Sequence, residues 1–103
     1  MSMTQRNNNE IVAIRMASGE EIITKLASAP DSSPGTREFI KPRILILGKT
    51  QGGQQGLQLI PWFFSDPDGT ALVNEDHIMA IMLAPKHIAD GYLQETSGIQ
   101  LAM

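Results

Sequence analysis

The chain has 103 residues, a mass of 11.2 kDa, a formal net charge of −3 and no cysteine. This length supports one hydrophobic core, the lack of thiols excludes disulfides and thiolate metal sites, and the acidic balance argues against general binding of duplex DNA. No apolar run approaches the roughly 18 residues needed to cross a bilayer, so we expect a cytoplasmic protein without membrane contact.

The amino-terminal part of the sequence predicts a polar segment followed by a β-hairpin. Residues 1–9 are polar and rich in asparagine, and we expect them to be disordered ahead of a single domain over residues 10–103. Glu10 to Met16 alternates apolar and polar side chains with the period of a half-buried strand. Ser18-Gly19 predicts a tight turn, and the alternation resumes over Glu21 to Leu26.

Three further strands are predicted after a Pro/Ser loop at 29–36. Phe39 to Leu47 is a strand in which Pro42 indicates an edge, a bulge or a bend, because proline has no amide hydrogen to donate. Leu57 to Phe64 follows a flexible connection at 48–56, and Pro61 interrupts it. Ile78 to Leu83 contains six consecutive apolar residues, which predicts burial on both faces; Leu72-Val73 is a short extended candidate before it.

The carboxyl-terminal part predicts one helix, over about 85–97. Pro85 suits the first helical position, and Ile88, Tyr92 and Leu93 fall on one helical face. Gly98 is a natural helix terminator, after which Ile99 could fold back as a hydrophobic partner.

Charged residues are segregated along the chain. Four of the eight basic residues lie in one stretch, and four acidic residues lie in another. Three interpretations are open: a mixed solvated surface, a basic face that binds RNA or another anion, or a contact between the two patches of neighbouring subunits. The basic candidates are Arg37, Lys41, Arg43 and Lys49, and the acidic counterparts are Asp66, Asp68, Glu75 and Asp76.

Catalytic patterns are weak, so we expect a non-enzymatic protein without metal or cofactor. Gly48-Lys49-Thr50 matches only the end of a P-loop, since Arg43 stands where its first glycine belongs. His77 beside Glu75 could serve as a general base, but a polar turn entering a strand explains the same residues. A small hydrolase-type enzyme is the remote alternative.

Pro61-Trp62-Phe63-Phe64 holds three of the five aromatic residues of the chain. Because neighbouring strand residues point in opposite directions, at least one aromatic ring should leave the core unless the chain bends at Pro61. Such a ring suits an assembly contact, or a stacking platform for single-stranded nucleic acid beside the basic third strand.

The opening hairpin resembles the first motif of Sm-like and Hfq-like proteins, in which alternating apolar residues precede a turn glycine and a second strand. The matching residues are Val12, Ile14, Met16, Gly19, Ile22 and Leu26. Ile78 and Ile81, after the turn Asn74-Glu75-Asp76-His77, look like the second motif. The resemblance is closest to small Sm-like proteins of marine phages and covers most of residues 10–83, which would place the protein in the host cytoplasm.

The resemblance implies a mainly β fold, namely a small, strongly bent, five-stranded Sm-like (SH3-like) barrel, here with one carboxyl-terminal helix. It also implies a homo-oligomeric ring, often RNA-binding, in which the last two strands pair between subunits. The expected interface residues are Trp62, Ile78, Met79, Ile81 and Met82.

Several positions depart from the pattern of the family. Thr24 replaces a bend glycine, and Asn74-Glu75 replaces the Arg-Gly pair of the second motif. The function expected from the sequence is therefore a binding or scaffold ring, with single-stranded RNA as a candidate ligand. The alternative is a protein-binding or phage assembly component that does not bind RNA.

Overall fold

The computed structural model describes residues 10–28, 31–49 and 52–97. Within these ranges the chain forms six strands, one short 3₁₀ turn at Glu75–His77 and one α-helix. The elements are β1 (Ile11–Met16), β2 (Glu21–Ala27), β3 (Thr36–Lys49), β4 (Gln55–Pro61), β5 (Thr70–Asn74), β6 (Ile78–Leu83) and α1 (Lys86–Thr96). No helix in the described part of the chain is long and apolar enough to cross a membrane.

The strands form one antiparallel sheet in the order β4-β3-β2-β1-β6. The long strand β3 has two partners on the same side: Thr36 to Ile40 pairs with β5, and Arg43 to Lys49 pairs with β4. Among the described strands, the sheet therefore ends at β4 and β5 on one side and at β6 on the other.

β3 changes partner at a bend, as Pro42 predicts. Lys41 has a φ of 48°, a left-handed conformation that few residues other than glycine adopt. The pairing of β2 with β3 shifts register between Ile23 and Lys25, opposite this bend. Two residues of β3, Lys41 and Pro42, lie opposite the single residue Thr24 of β2, so β3 carries the bulge.

Two hydroxyl groups bind the backbone at this bend. The Thr24 hydroxyl donates to the carbonyl oxygen of Ile40 at 2.7 Å, and the Tyr92 hydroxyl donates to the same oxygen at 2.6 Å. Thr24 and Tyr92 are almost completely buried. Because an unpaired buried hydroxyl is costly, these two bonds fix β2, the bulged bend of β3 and α1 relative to each other.

Apolar side chains form two clusters, one on each face of the sheet. The inner cluster comprises Val12, Ile14, Met16, Ile22, Phe39 and Val73. The helix cluster comprises Ile11, Ala13 and Ile23 from the sheet with Ile88 and Tyr92 from α1. β1 therefore contributes side chains to both clusters. The reason is that α1 covers the face of β1 that the alternating sequence predicts to be exposed to solvent.

The fold is mainly β with one carboxyl-terminal helix, as predicted, but it has six strands instead of five. The additional strand is β5, which contains the short extended candidate Leu72-Val73 and pairs with the first part of β3. The predicted fourth strand is β4, which ends at Pro61 instead of Phe64. Both ends of the predicted connection at 48–56 are strand: Gly48 and Lys49 in β3, and Gln55 and Gly56 in β4.

The predicted helix is present, with Pro85 at its N-cap, but Leu93 is 43% exposed instead of lying on the buried face. The predictions for residues 1–9, Gly98 and Ile99 lie outside the described residues.

Burial raises the pKa of Tyr92 above its ordinary value of 10.0. The folded chain then holds the phenol proton more tightly than the unfolded chain, so the stability from the buried neutral phenol is complete below about pH 10 and is lost as the pH rises through the folded pKa. Because Tyr92 is the single tyrosine, near-ultraviolet absorbance reports its titration alone. We expect a higher midpoint in the native than in the urea-denatured protein.

At neutral pH the free energy of unfolding of the matched variant Tyr92→Phe should be about 1 kcal/mol lower than that of the parent protein, because the hydrogen bond to Ile40 is lost. The variant should also lack the loss of stability at alkaline pH that the phenol causes. Equal native and denatured midpoints would contradict the assignment.

Candidate functional site

The free edge formed by β6 is apolar. β6 pairs with β1 along one side, and no described strand pairs with its other side. Five of its six residues are exposed, so the predicted burial on both faces does not occur within a single chain. Met79 is 69% and Met82 62% exposed, which is unusual for side chains of this size.

The backbone of β6 also presents groups to this free side. Opposed residues in an antiparallel pair alternate between those that exchange hydrogen bonds and those that do not. The Ala84 N–H donates to the Ile11 carbonyl at 3.0 Å, and the register then makes Met82 and Ala13 the next bonded pair. Ile81 and Leu83 therefore direct their N–H and C=O groups away from β1.

The same argument applies to β4 at the opposite edge. The Trp62 N–H donates to the Pro42 carbonyl at 3.2 Å, so Ile60 and Ile44 form the next bonded pair along the ladder. Leu57, Leu59 and Pro61 consequently direct their backbone groups outward. Because the nitrogen of Pro61 faces the free side, its missing hydrogen removes no bond from the sheet.

Leucine side chains make the outer end of the β3–β4 hairpin apolar as well. Leu47 lies opposite Leu57 and Leu45 lies opposite Leu59, which places all four on one face. Leu47 is 60% and Leu57 55% exposed. The predicted interface omitted these residues, although their i, i+2 spacing in two adjacent strands was a usable signal.

The five predicted interface residues divide into two groups. Met79, Ile81 and Met82 are exposed on β6. Trp62 and Ile78 are partly buried against the inner cluster, and the Trp62 ring stacks on Phe39 with centroids 6.1 Å apart.

The aromatic residues after Trp62 are the ones that face solvent. Phe63 contacts the Trp62 ring edge-on at 5.3 Å and is 49% exposed, while Phe64 is 77% exposed. β4 ends at Pro61 and the chain bends at Trp62, which packs against the inner cluster, while Phe63 and Phe64 leave the core.

Arg43, predicted as an anion-binding residue, is buried beneath α1. Its side chain is 3% exposed and lies 2.9 Å from the Asp68 carboxylate and 3.5 Å from that of Glu95. Nη1 also donates to the Pro67 carbonyl at 2.6 Å. Nε faces Glu95 without hydrogen-bond geometry, so that contact contributes charge attraction only. Arg43 thus joins β3, the loop at 62–69 and the last turn of α1.

The other three basic candidates do not converge on one surface. The Lys41 ammonium donates to the Thr96 carbonyl at the end of α1, and Arg37 lies 3.8 Å from Glu75. Arg37 and Lys49 lie near opposite ends of the 14-residue strand β3. Of the four, Lys49 is the one that is exposed, and the others contact groups of their own chain.

The turn at 74–77, predicted to match the second motif, is exposed throughout. Asn74 caps it, since its side-chain oxygen accepts the Asp76 N–H at 2.9 Å, and Glu75 and His77 lie on its surface. Among the residues that the structure describes, no three His, Asp or Glu side chains come together as a metal site would require.

Replacing Arg43 should destabilise the fold, because the substitution removes a buried charge whose partners are Asp68, Glu95 and the Pro67 carbonyl. We expect Arg43→Gln to lower the free energy of unfolding by about 2 kcal/mol, less than for a fully buried pair since both carboxylates can return to water. The matched control Lys49→Gln, on the same strand but exposed, should change it by less than about 0.5 kcal/mol. Urea titrations measure both, and similar values for the two variants would contradict this role.

Comparison with known proteins adds no identification at this point: no family model matches the sequence, and no curated protein matches it significantly.

Proposed function

We propose that the chain is an Sm-like subunit of a homo-oligomeric ring, and that this ring acts as a non-enzymatic binding or scaffold module. The observation that carries the proposal is that no described strand pairs with the outer side of β4 or of β6, and that both strands expose apolar side chains. An exposed apolar strand edge is a template for pairing with another chain, and soluble proteins normally cover it.

Pairing β4 of one copy with β6 of the next would use complementary features of the two edges. Outward backbone groups of Leu57 and Leu59 would meet those of Ile81 and Leu83, and the side chain of Met79 would be removed from water. Each subunit has one edge of each kind, so the contact is head-to-tail, and a head-to-tail contact closes into a ring when the rotation between subunits permits.

The topology supports the Sm-like interpretation of the sheet. β3 bends at Lys41 and pairs with two successive strands, and a 3₁₀ turn at Glu75–His77 leads into the last strand. In this proposal β4 and β5 together take the place of the family's fourth strand, and β6 takes the place of its fifth. The segment between Pro61 and Thr70 is an insertion that carries the exposed aromatic residues.

Within this proposal the structure favours a protein ligand over RNA. Phosphate binding depends on accessible Lys and Arg side chains. Arg43 is buried and paired, whereas Phe63 and Phe64 are exposed on a loop next to Trp62. Exposed aromatic side chains that pack against a partly buried neighbouring ring are typical of protein-binding hot spots. We therefore favour a protein-binding or assembly role for the ring.

Oligomer formation is tested by light scattering coupled to size exclusion. We expect a discrete oligomer at tens of micromolar, and Ile81→Asp should convert it to monomer because the new charge would be buried at the β4–β6 contact. Leu93→Asp is the matched control: Leu93 and Ile81 are both 43% exposed, but Leu93 lies on α1, away from the edge. A monomeric parent protein, or dissociation by both variants alike, would refute the ring.

RNA binding is tested separately with labelled A-rich and U-rich oligonucleotides at two salt concentrations. We expect neither oligonucleotide to show salt-sensitive binding, because three of the four basic candidates contact their own chain. Salt-sensitive binding that is reduced by Lys49→Gln would favour the RNA-binding alternative for the ring. The two experiments are independent, since a ring that does not bind RNA remains a ring.

A further inference from the structure

The loop at 62–69, which connects β4 to β5, presents two aromatic side chains from an anchored start. The Trp62 ring stacks on Phe39 in the inner cluster, and Phe63 contacts the edge of the Trp62 ring. Phe64 follows directly, and among the described residues no large apolar side chain is more exposed. The two phenylalanines therefore project into solvent beside a ring that belongs to the core.

The second half of this loop is anchored as well. Nη1 of Arg43 donates to the Pro67 carbonyl at 2.6 Å. The Gly69 N–H donates to the Asp66 carbonyl at 3.1 Å, and the Gly69 carbonyl accepts the Lys41 N–H at 3.2 Å. Because β3 and the loop itself hold the backbone in place, a partner that binds here does not have to order the loop first, which lowers the entropic cost of binding.

The groups beside the phenylalanines are acidic. Asp66 is exposed, and Asp68 and Glu95 share the guanidinium group of Arg43. The side chain of Arg43 is enclosed, whereas the carboxylate side chains of Asp68 and Glu95 are 63% and 40% exposed. A molecule that approaches this side of the protein therefore meets carboxylate oxygens and not the guanidinium group.

The other cation in this region is directed at the end of α1. The Lys41 ammonium donates to the Thr96 carbonyl at 3.1 Å, where the helix has carbonyl groups without helical partners. The last turn of α1 contains no basic residue of its own. Three carboxylates against the two cations Lys41 and Arg43 leave a net charge of −1, and both cations are already bonded to the chain.

We propose that this part of the protein is the docking surface for a basic segment of another protein. The aromatic–acidic surface, as we call it, consists of Phe63, Phe64, Asp66, Asp68 and Glu95. An apolar side chain of the partner would pack on the two phenylalanine rings, and flanking Arg or Lys side chains would pair with the carboxylates. Arginine suits both parts, because its guanidinium group stacks on aromatic rings and forms paired hydrogen bonds with carboxylates. This inference rests on the protein-binding role proposed above and names the charge of the partner.

A second copy of the chain is the less suitable occupant of the aromatic–acidic surface. The chain has a formal net charge of −3. Three of its basic side chains, Arg15, Arg37 and Lys86, are paired with carboxylates of their own chain. Its charges therefore offer little attraction to the acidic surface of another copy, and a partner of basic composition is the better match.

The fluorescence of Trp62 provides a direct test, because Trp62 is the single tryptophan and contacts Phe63. The probe is the synthetic peptide Arg-Leu-Arg-Leu-Arg-Leu-Arg, and its control is the same peptide with Glu in place of every Arg. Neither peptide contains an aromatic residue, so the signal comes from the protein alone. We expect a saturable change with the basic peptide that weakens with added salt, and an affinity for the acidic peptide at least about tenfold lower.

Substitutions in the full chain locate the binding. Phe64→Ser should weaken binding of the basic peptide at least about tenfold, as truncation of a hot-spot residue does, and its exposure lets the fold tolerate the change. Asp66→Asn should weaken binding and reduce its dependence on salt. The matched control is Asp76→Asn, which makes the same change of charge at an exposed residue beyond the other end of β5, and it should leave the affinity within about twofold.

Three results would overturn the basic partner. The first is the lack of a saturable change with the basic peptide, and the second is equal affinity for both peptides, which would leave an aromatic protein-binding surface without charge preference. The third is a Trp62 signal that changes with protein concentration alone and is lost in Phe64→Ser, which would assign the surface to a second copy. The titration is independent of the ring, since an oligomer that binds neither peptide keeps the ring and refutes only this inference.

Discussion

The bend of β3 at Lys41 and Pro42 determines where the other elements lie. A straight 14-residue strand would extend far beyond the rest of this small sheet, but the bend lets its first part pair with β5 and its second part with β4. The strain of a positive φ at Lys41 is tolerated because Thr24 and Tyr92 both donate to the Ile40 carbonyl next to it. One backbone oxygen thus receives bonds from β2 and from α1, and the sheet and helix cannot move independently there.

Arg43 extends this arrangement by a second kind of interaction. Positioned two residues after Lys41, it points to the face that α1 covers, where Asp68 and Glu95 neutralise it. A buried charge is retained only where such partners exist, so the loop at 62–69 and the last turn of α1 are held by the same guanidinium group. The basic residues that lie close together in the sequence therefore serve in part to hold the fold together, and they do not form one positive surface.

Local patterns predicted much of this fold. Period-two alternation located β1 and β2, glycine at position 19 located their turn, and the run from Ile78 to Leu83 gave the bounds of β6. These features depend on neighbours in sequence. The pairing of Arg43 with Asp68 and Glu95, 25 and 52 residues away by number, depends on how the helix crosses the sheet, and no local pattern encodes it. The burial predicted for β6 was wrong because composition shows that both of its faces are apolar but not whether another element covers them, and five of its six residues are exposed.

Pro61 has a consequence for the selectivity of the β4 edge. Its nitrogen faces outward, so a strand that adds to this edge finds every acceptor it needs but lacks one donor at a defined position. An added strand that extends past Pro61 leaves one of its own carbonyls unpaired there, at a cost comparable to a lost hydrogen bond. The proline therefore limits how far an added strand can pair along this edge, and it disfavours the sequence-independent addition of strands by which apolar edges nucleate fibrils.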